Sequence, residues 1–299
     1  MAKVIAIVGP TAIGKTKISI ELAKRLGLEI ISGDSVAVYK GLDIGSAKPT
    51  KEEMNGVVHH LIDVLDPKDQ YDVSLFQNMA RDIISKNGNV IICGGTGLYI
   101  QSVLYDYKFE ASKRDDSFEA RFKNYSNEEL YEYLLKLDPT VNKEKLHPNN
   151  RKRVLRAIEI FNEANTSVTN QNALKKPFYD SYVVYLNVSD RDLLYDRINK
   201  RVDKMIEDGL LEEVKTLFDN EIYPHAIGYK ELVPYFKGDI SLETAIEEIK
   251  KNSRHLAKRQ MTWFKNQMPS HFYEVNLSNI DETIDNIYAD LVEFLGGAQ

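Results

Sequence analysis

The run Gly9-Pro10-Thr11-Ala12-Ile13-Gly14-Lys15-Thr16 satisfies the pattern G-x-x-x-x-G-K-[ST] at every fixed position. It joins two segments of different periodicity. Before it, Lys3 to Val8 is a short β-branched run of the kind that forms a strand buried on both faces. After it, Ile18, Leu22 and Leu26 recur every four residues, as on one face of a helix, and Gly27 ends the pattern. That context makes the run a phosphate-binding loop (P-loop). Its glycines let the backbone wrap around phosphate oxygens, with N–H groups converging at a helix N-terminus. Lys15 adds a mobile positive charge, and the Thr16 hydroxyl is placed to ligate Mg2+. Residues 9 to 16 are therefore expected to grip a diphosphate or a triphosphate such as that of ATP. The loop does not say which molecule carries the phosphates.

A strand–loop–helix start of this kind belongs in a parallel sheet, and further strand-like runs follow. Glu29 to Ser32 reads as a second strand, Asn89 to Cys93 as another, Tyr182 to Val188 as a later one and His271 to Val275 as a last. Helical patterns occupy about Arg191 to Asn220, Leu242 to Gln267 and Ile280 to Leu295. The expected fold is α/β, a P-loop NTPase-like core whose parallel sheet is flanked by helices. Residues 109–180 differ, with short polar helices rich in Tyr, Lys, Asn and Glu. They read as a mainly helical insertion between the two parts of a catalytic core, 1–108 and 181–299. A chain of 299 residues suits one large domain carrying such an insertion.

Charge and cysteine count narrow the function classes. With a net charge of −6 the chain cannot grip nucleic acid over its whole surface, so any such contact must use local basic patches. The one cysteine, Cys93, sits in the apolar run Val90 to Cys93 and reads as a buried strand thiol, which excludes disulfide frameworks and cysteine zinc sites. His59 and His60 are adjacent, so their rings diverge, and no third ligand lies near them in sequence; no metal site is read there. No apolar stretch approaches the roughly 18 residues of a membrane span, and Val4 to Val8 is too short for a signal peptide core, so a cytoplasmic protein off the membrane is expected.

Two candidate groups fall at carboxyl ends of strands, the rim on which ligands of parallel sheets bind. Asp34 follows the second strand and has two readings of about equal weight: a carboxylate that accepts a proton from an attacking nucleophile, or an N-cap on the next helix. Gly94-Gly95-Thr96-Gly97 ends a later strand. Thr96 could donate to a phosphate oxygen, or the turn could simply need a positive φ. Two stretches are locally basic. Arg151 to Arg156 holds four Lys or Arg in six positions, and Lys250 to Lys265 holds six Lys or Arg plus His255 with no acid. On a helix, Ile249, Leu256, Gln260 and Trp263 would form a core-facing stripe, and Lys251, Arg254 and Lys258 a cationic ridge of the kind that meets RNA phosphates. A charge run is more often a solvated face.

Taken together the motifs resemble the tRNA dimethylallyltransferase family, over nearly the whole chain. The segments carrying the resemblance are Gly9 to Thr16, Asp34 to Tyr39, Gly41 to Pro49, His60 to Asp63, Gly94 to Tyr99, His147 to Arg156, Arg201 to Met205, Ala226 to Lys230 and Ala257 to Phe264. The resemblance implies transfer of a dimethylallyl group from its diphosphate to N6 of the adenosine 3′ of the anticodon, tRNA position 37, in tRNAs reading codons that begin with U. It implies that Asp34 is the base and that Thr96 and Arg201 hold the diphosphate. It also implies tRNA contacts from Asp34, Ser35, Val36 and Ala37; from Lys152, Arg153, Val154, Leu155 and Arg156; from His225, Gly228, Tyr229 and Lys230; and from Lys258, Arg259, Gln260, Trp263 and Lys265. The partners would be the anticodon stem-loop and dimethylallyl diphosphate, the cofactor Mg2+, and the enzyme a monomer. Two positions depart from the family pattern, Ala37 where glutamine is frequent and Asn150 where aspartate is usual.

The residues alone leave rivals open. A nucleotide or small-metabolite kinase would use the same loop and the same acid, but would leave both basic stretches unexplained. Prenyl transfer to free AMP would not need them either. A non-catalytic RNA-binding switch would bind nucleotide and RNA without forming product.

Overall fold

The computed structural model describes residues 2–107, 116–165, 167 and 176–296. The chain divides into two compact units, one of Met1–Tyr105 with Pro177–Gln299 and one of Asp106–Lys176.

In the larger unit the chain runs β1 (Lys3–Val8), α1 (Lys15–Leu26), β2 (Glu29–Ser32), α2 (Lys51–Met54), β3 (His59–His60), α3 (Val73–Asn87), β4 (Val90–Gly94) and α4 (Gly97–Leu104). In the smaller unit follow α5 (Asp116–Arg121), α6 (Asn127–Leu137) and α7 (Arg151–Ala164). The larger unit resumes with β5 (Asp180–Asn187), α8 (Arg191–Glu207), α9 (Leu210–Asp219), α10 (Leu232–Phe236), α11 (Leu242–Gln267), β6 (His271–Glu274) and α12 (Ile280–Leu295).

The six strands form one sheet in the order β3-β2-β4-β1-β5-β6, and each pair is parallel. β1 lies between β4 and β5, so all its backbone groups are paired and its side chains are covered on both faces. Period-two alternation splits it between two cores. Ile5 and Ile7 pack with Ile18 and Leu22 of α1 and with Ile284, Ile287 and Leu291 of α12. Val4, Ala6 and Val8 pack with Phe76 of α3, Ile100 and Val103 of α4 and Phe264 of α11. A third cluster joins Val202 of α8, Leu210, Val214 and Leu217 of α9, Tyr229, and Ala245 and Ile249 of α11. The smaller unit has its own core, in which Leu130 and Leu134 of α6 meet Val154, Leu155 and Ile158 of α7.

The strands, α1, α11 and α12 expected from the sequence are present, with Gly27 ending α1 in the left-handed conformation. α3 and β3 had no counterpart in the sequence reading. His59 and His60, refused as metal ligands, form β3, where the His60 imidazole meets Glu29 Oε2 at 2.7 Å and His59 Nδ1 meets the Val57 carbonyl at 2.9 Å. Of the stripe expected on α11, Ile249 is buried but Leu256, Gln260 and Trp263 are only half-buried, and Ala245, Ala257 and Phe264 complete the buried face. The reason is what each side faces. Ala245 and Ile249 pack on α8, α9 and Tyr229, Ala257 and Phe264 pack in the two clusters that cover the sheet, and Gln260 and Trp263 look toward the loops at its carboxyl rim.

Candidate active site at the carboxyl rim of the sheet

Because β1, β2 and β4 are parallel and paired in register, Val8 beside Gly94 and Ser32 beside Cys93, their carboxyl ends reach the same level. The P-loop, Asp34 and Thr96 leave the sheet at that level.

Gly9 must be glycine. Its φ is +154°, and a Cβ there would meet the Leu186 carbonyl oxygen of β5 at 2.6 Å. Ala12 takes φ +63° and Gly14 φ +104° before α1 begins. The Thr11 N–H is taken by Gln260 Oε1 at 2.9 Å, whereas the N–H groups of Ala12, Ile13, Gly14, Lys15 and Thr16 donate to none of the described residues. Four of those five stand at or beside the N-terminus of a 12-residue helix that has no side-chain cap, so an anion is their natural acceptor. Lys15 Nζ rests on the loop's own carbonyls, Gly9 at 3.1 Å and Pro10 at 2.8 Å. Burial brings its pKa down from 10.5 to about 8, partly offset by the nearby Cys93 and Asp34 groups. Burial in turn pushes the Cys93 thiol up, so it stays protonated beside the ammonium.

α8 supplies the other cations. Arg201 Nη1 donates to Thr11 Oγ1 at 3.1 Å, and Arg197 Nε to the Ala12 carbonyl at 3.1 Å. Burial lowers the Arg201 pKa, opposed by the charges of Asp34 and Glu53. Thr96 caps α4 by position, yet its side chain makes no capping hydrogen bond, which leaves the hydroxyl for a ligand. Gln260 Nε2 donates to the Gly95 carbonyl at 3.1 Å, so one amide ties the P-loop to the β4–α4 turn. A Cβ on Gly95 would overlap that amide.

Asp34 caps no helix, since α2 begins only at Lys51 behind its own Thr50 cap, but it does hold a turn. Oδ1 accepts from the Val36 N–H at 2.7 Å and the Ala37 N–H at 3.2 Å, holding the turn in the manner of a cap, while Oδ2 takes no hydrogen bond from the described residues. The turn is fastened further down. Lys48, whose side chain is only 5% exposed, donates to the Tyr39 carbonyl, to Asp43 at 2.6 Å and to Asp63 at 2.5 Å. Glu213 of α9 accepts the N–H groups of Asp43, Ile44 and Gly45 and the Tyr229 hydroxyl. An aromatic group adjoins: Tyr71 lies edge-on to Tyr39, Phe76 and Tyr99, and Phe76 stacks on Tyr99 with centroids 4.9 Å apart. Burial raises the pKa of Tyr71 and of Tyr99, and the Asp34 charge adds to both. Arg197, Lys48, Glu213 and Tyr71 escaped the sequence reading as individual residues. Only the four-residue spacing from Arg197 to Arg201 could have flagged one of them.

The IPP transferase family model matches residues 37–267, more than half of the chain. A tRNA dimethylallyltransferase of Anoxybacillus flavithermus is 47% identical over 94% of this chain and 92% of its own length. One of Oceanobacillus iheyensis is 46% identical over 98% and 97%. The chain belongs to the IPP transferase family. The crystal structure of a tRNA isopentenylpyrophosphate transferase from Bacillus halodurans superposes on it with a TM-score of 0.74 at 41% identity, covering 99% of this chain and 97% of that one. A eukaryotic dimethylallyltransferase captured acting on tRNA superposes with a TM-score of 0.85 at 27% identity, covering 100% of this chain and 81% of that one.

Residues that the family resemblance would set against RNA fall into two groups. Ser35 and Val36 are half-buried beside Asp34, and Lys152, Arg153, His225, Lys230, Lys258, Arg259 and Lys265 are exposed. Val154, Leu155 and Tyr229 point into the cores, and Gly228 and Ala37 are buried, so these positions present no side chain to solvent. A continuous stretch of helix cannot turn every side chain to one ligand, because its faces rotate by about 100° per residue. Arg156 is half-buried in an ion pair with Glu159. The Gln260 amide is spent on the two loops, and Trp263 lies against Gly97 at the edge of the core. Asn150 precedes α7 without a capping bond from its side chain. Of the ridge expected on α11, Lys258 is exposed, but Lys251 is paired with Glu248 and Arg254 donates to Asn199; Lys250, in the same basic stretch, is paired with Asp203 and Glu247. Its second half, Lys258, Arg259 and Lys265, carries the exposed cations that no described carboxylate pairs.

Proposed function

We propose that this chain transfers a dimethylallyl group from dimethylallyl diphosphate to N6 of the adenosine at tRNA position 37, 3′ of the anticodon, in tRNAs reading codons that begin with U. The observation that carries the reading is the convergence at one sheet rim of a diphosphate cradle and a carboxylate with one unengaged oxygen. The relatives' activity fits that pairing of groups.

As the allylic C–O bond breaks, its electron pair goes to the diphosphate. The unengaged N–H groups of residues 12–16, Lys15, Arg201 and the Thr96 hydroxyl hold the charge that builds there, usually the largest catalytic term. Positive charge spreads over the five-carbon unit, and the half-buried Tyr71 and Tyr99 rings, backed by the buried Phe76, supply a π-rich wall of the kind that favours a cation. The N6 lone pair is delocalised into the ring, so the amine is a weak nucleophile. Asp34 Oδ2 accepts its proton as the N–C bond forms. Thr16, in the first turn of α1 with no described partner for its hydroxyl, would hold Mg2+ together with diphosphate oxygens and water, and the ion would supply further charge to the leaving group. No cluster of three or more His, Cys, Asp or Glu side chains able to hold a metal occurs among the described residues, so the substrate must complete that coordination.

N6 cannot reach the allyl carbon from inside a stacked loop. The base is flipped out at a cost on the order of a few kcal/mol, offset by phosphate contacts to Lys258, Arg259 and Lys265 and to Lys152 and Arg153 of the insertion. The chain acts as a monomer in the cytoplasm; no described helix is long and apolar enough to cross a membrane. The deciding experiment supplies dimethylallyl diphosphate, Mg2+ and unmodified tRNA and weighs the anticodon-loop adenosine. Gain of one five-carbon unit is expected. Transfer of label from ATP to a small acceptor, with RNA unmodified, would overturn the reading in favour of a kinase.

A further inference from the structure

Arg197 of α8 reaches the P-loop backbone. No described acid pairs with it, and its one hydrogen bond to the described residues runs from Nε to the Ala12 carbonyl at 3.1 Å. Ala12 is also the one non-glycine residue of the P-loop with a positive φ, +63°, a conformation that an L side chain adopts only when its surroundings hold it there. The Ala12–Ile13 peptide is trans, so its carbonyl and its N–H point in opposite directions. A donor that fixes the carbonyl on the α8 side thereby fixes the Ile13 N–H on the other side, and that N–H has no described acceptor. α8 is steadied for the purpose. Arg254 of α11 grips Asn199 at 2.6 Å, and Arg201, one turn beyond Arg197 on the same face, holds Thr11.

We infer that Arg197 is a positioning residue for the diphosphate cradle: it pins the Ala12 carbonyl outward so that the Ile13 N–H is presented to the leaving diphosphate. The inference rests on the reading of residues 9–16 as that cradle. Release of the pin lets the peptide turn over, and the cradle loses one preorganised donor to an anion.

The test uses the full chain, with calorimetric binding of inorganic pyrophosphate in the presence of Mg2+. Arg197→Ala is expected to weaken pyrophosphate about 10- to 100-fold, the range for one hydrogen bond to a charged group, with tRNA affinity unchanged. Arg197→Lys, which keeps a donor, should recover part of the loss. The decisive variant is Ala12→Gly. Glycine takes the positive φ without strain, so adding Ala12→Gly to Arg197→Ala should restore most of the lost pyrophosphate affinity. Losses in the double variant that simply add would overturn the inference and make Arg197 a direct phosphate ligand or a general brace. Wild-type affinity in Arg197→Ala would also overturn it. Absence of pyrophosphate binding to the wild-type protein would remove the cradle reading itself, and this inference with it.

Discussion

With Oδ1 of Asp34 committed to the Val36 and Ala37 N–H groups and Oδ2 left to the site, the turn-holding role and the proposed base role fall to two atoms of one residue. Two substitutions therefore separate them. Asp34→Asn keeps an oxygen for the turn but offers no base, so it should retain thermal stability and tRNA affinity while kcat falls by about 10²- to 10⁴-fold. Asp34→Ala should lose the same rate and, in addition, about 1 kcal/mol of stability from the released turn, read from its melting curve. Full turnover in Asp34→Asn would exclude the base assignment. Lys15 gives a pH dependence of opposite sign for stability and for binding. Its pKa is about 8 in the folded protein against 10.5 for the free side chain, so between those values the unfolded chain binds more protons and the ligand-free protein gains stability as pH rises. A bound diphosphate favours the ammonium, so affinity for dimethylallyl diphosphate should fall toward tenfold per pH unit above about 8, with proton uptake on binding. Titration calorimetry in buffers of different ionisation enthalpy measures that uptake, and Lys15→Met should abolish it.

At the level of elements, what could be read from the sequence was whatever glycine and periodicity mark. β1, the P-loop and α1 are bounded by Gly9, Gly14 and Gly27, and α11 and α12 have the limits that their apolar periods imply. β3 has two residues at the sheet edge, too short for any pattern, and α3 hides its Phe76, Ala80 and Ile84 stripe behind a buried Gln77, although its Asp72 cap was a usable signal. On α11 the reading went astray for a different reason. Net charge along a helix is visible in sequence, but pairing is decided by neighbours: Asp203 on α8 neutralises Lys250, a relation across 47 positions that no local pattern encodes. The free cations lie toward the helix's C-terminal end, and the prediction is specific to them. Lys258→Ala, Arg259→Ala and Lys265→Ala should each lower the log–log salt slope of tRNA binding by about 0.7 to 0.9 per lost phosphate contact, leaving pyrophosphate affinity unchanged. Lys251→Ala should leave the slope alone, because that ammonium already serves Glu248. Filter binding across a salt series distinguishes the two cases.

The molecule as a whole is acidic, with a net charge of −6, so its average field repels RNA and binding must come from where its cations are concentrated. Among the described residues two such concentrations lie in different units: Lys258, Arg259 and Lys265 on α11 of the larger, and Lys152 and Arg153 on α7 of the smaller. The sequence reads as an insertion over 109–180, because polar helices interrupt the strand pattern there, and the smaller unit spans Asp106–Lys176. Which face of α7 is outward was not legible in a run of four cations. Helical rotation decides it, sending Val154, Leu155 and Ile158 into the core, Arg156 into an ion pair with Glu159, and Lys152 and Arg153 to solvent. If the smaller unit grips the same tRNA as the sheet-bearing unit, each patch supplies its own share of released counterions, and the shares add. Lys152→Glu with Arg153→Glu should then reduce tRNA affinity at least tenfold in low salt and flatten the salt slope by about 1.5 to 2. Combined with the α11 substitutions, the losses in log affinity should sum, as for sites with no shared partner. Neither set should change the rate of a single turnover at saturating tRNA, because neither touches the leaving diphosphate or Asp34. A slope unmoved by the α7 pair would confine RNA recognition to the larger unit and leave the insertion's exposed cations as a solvated face.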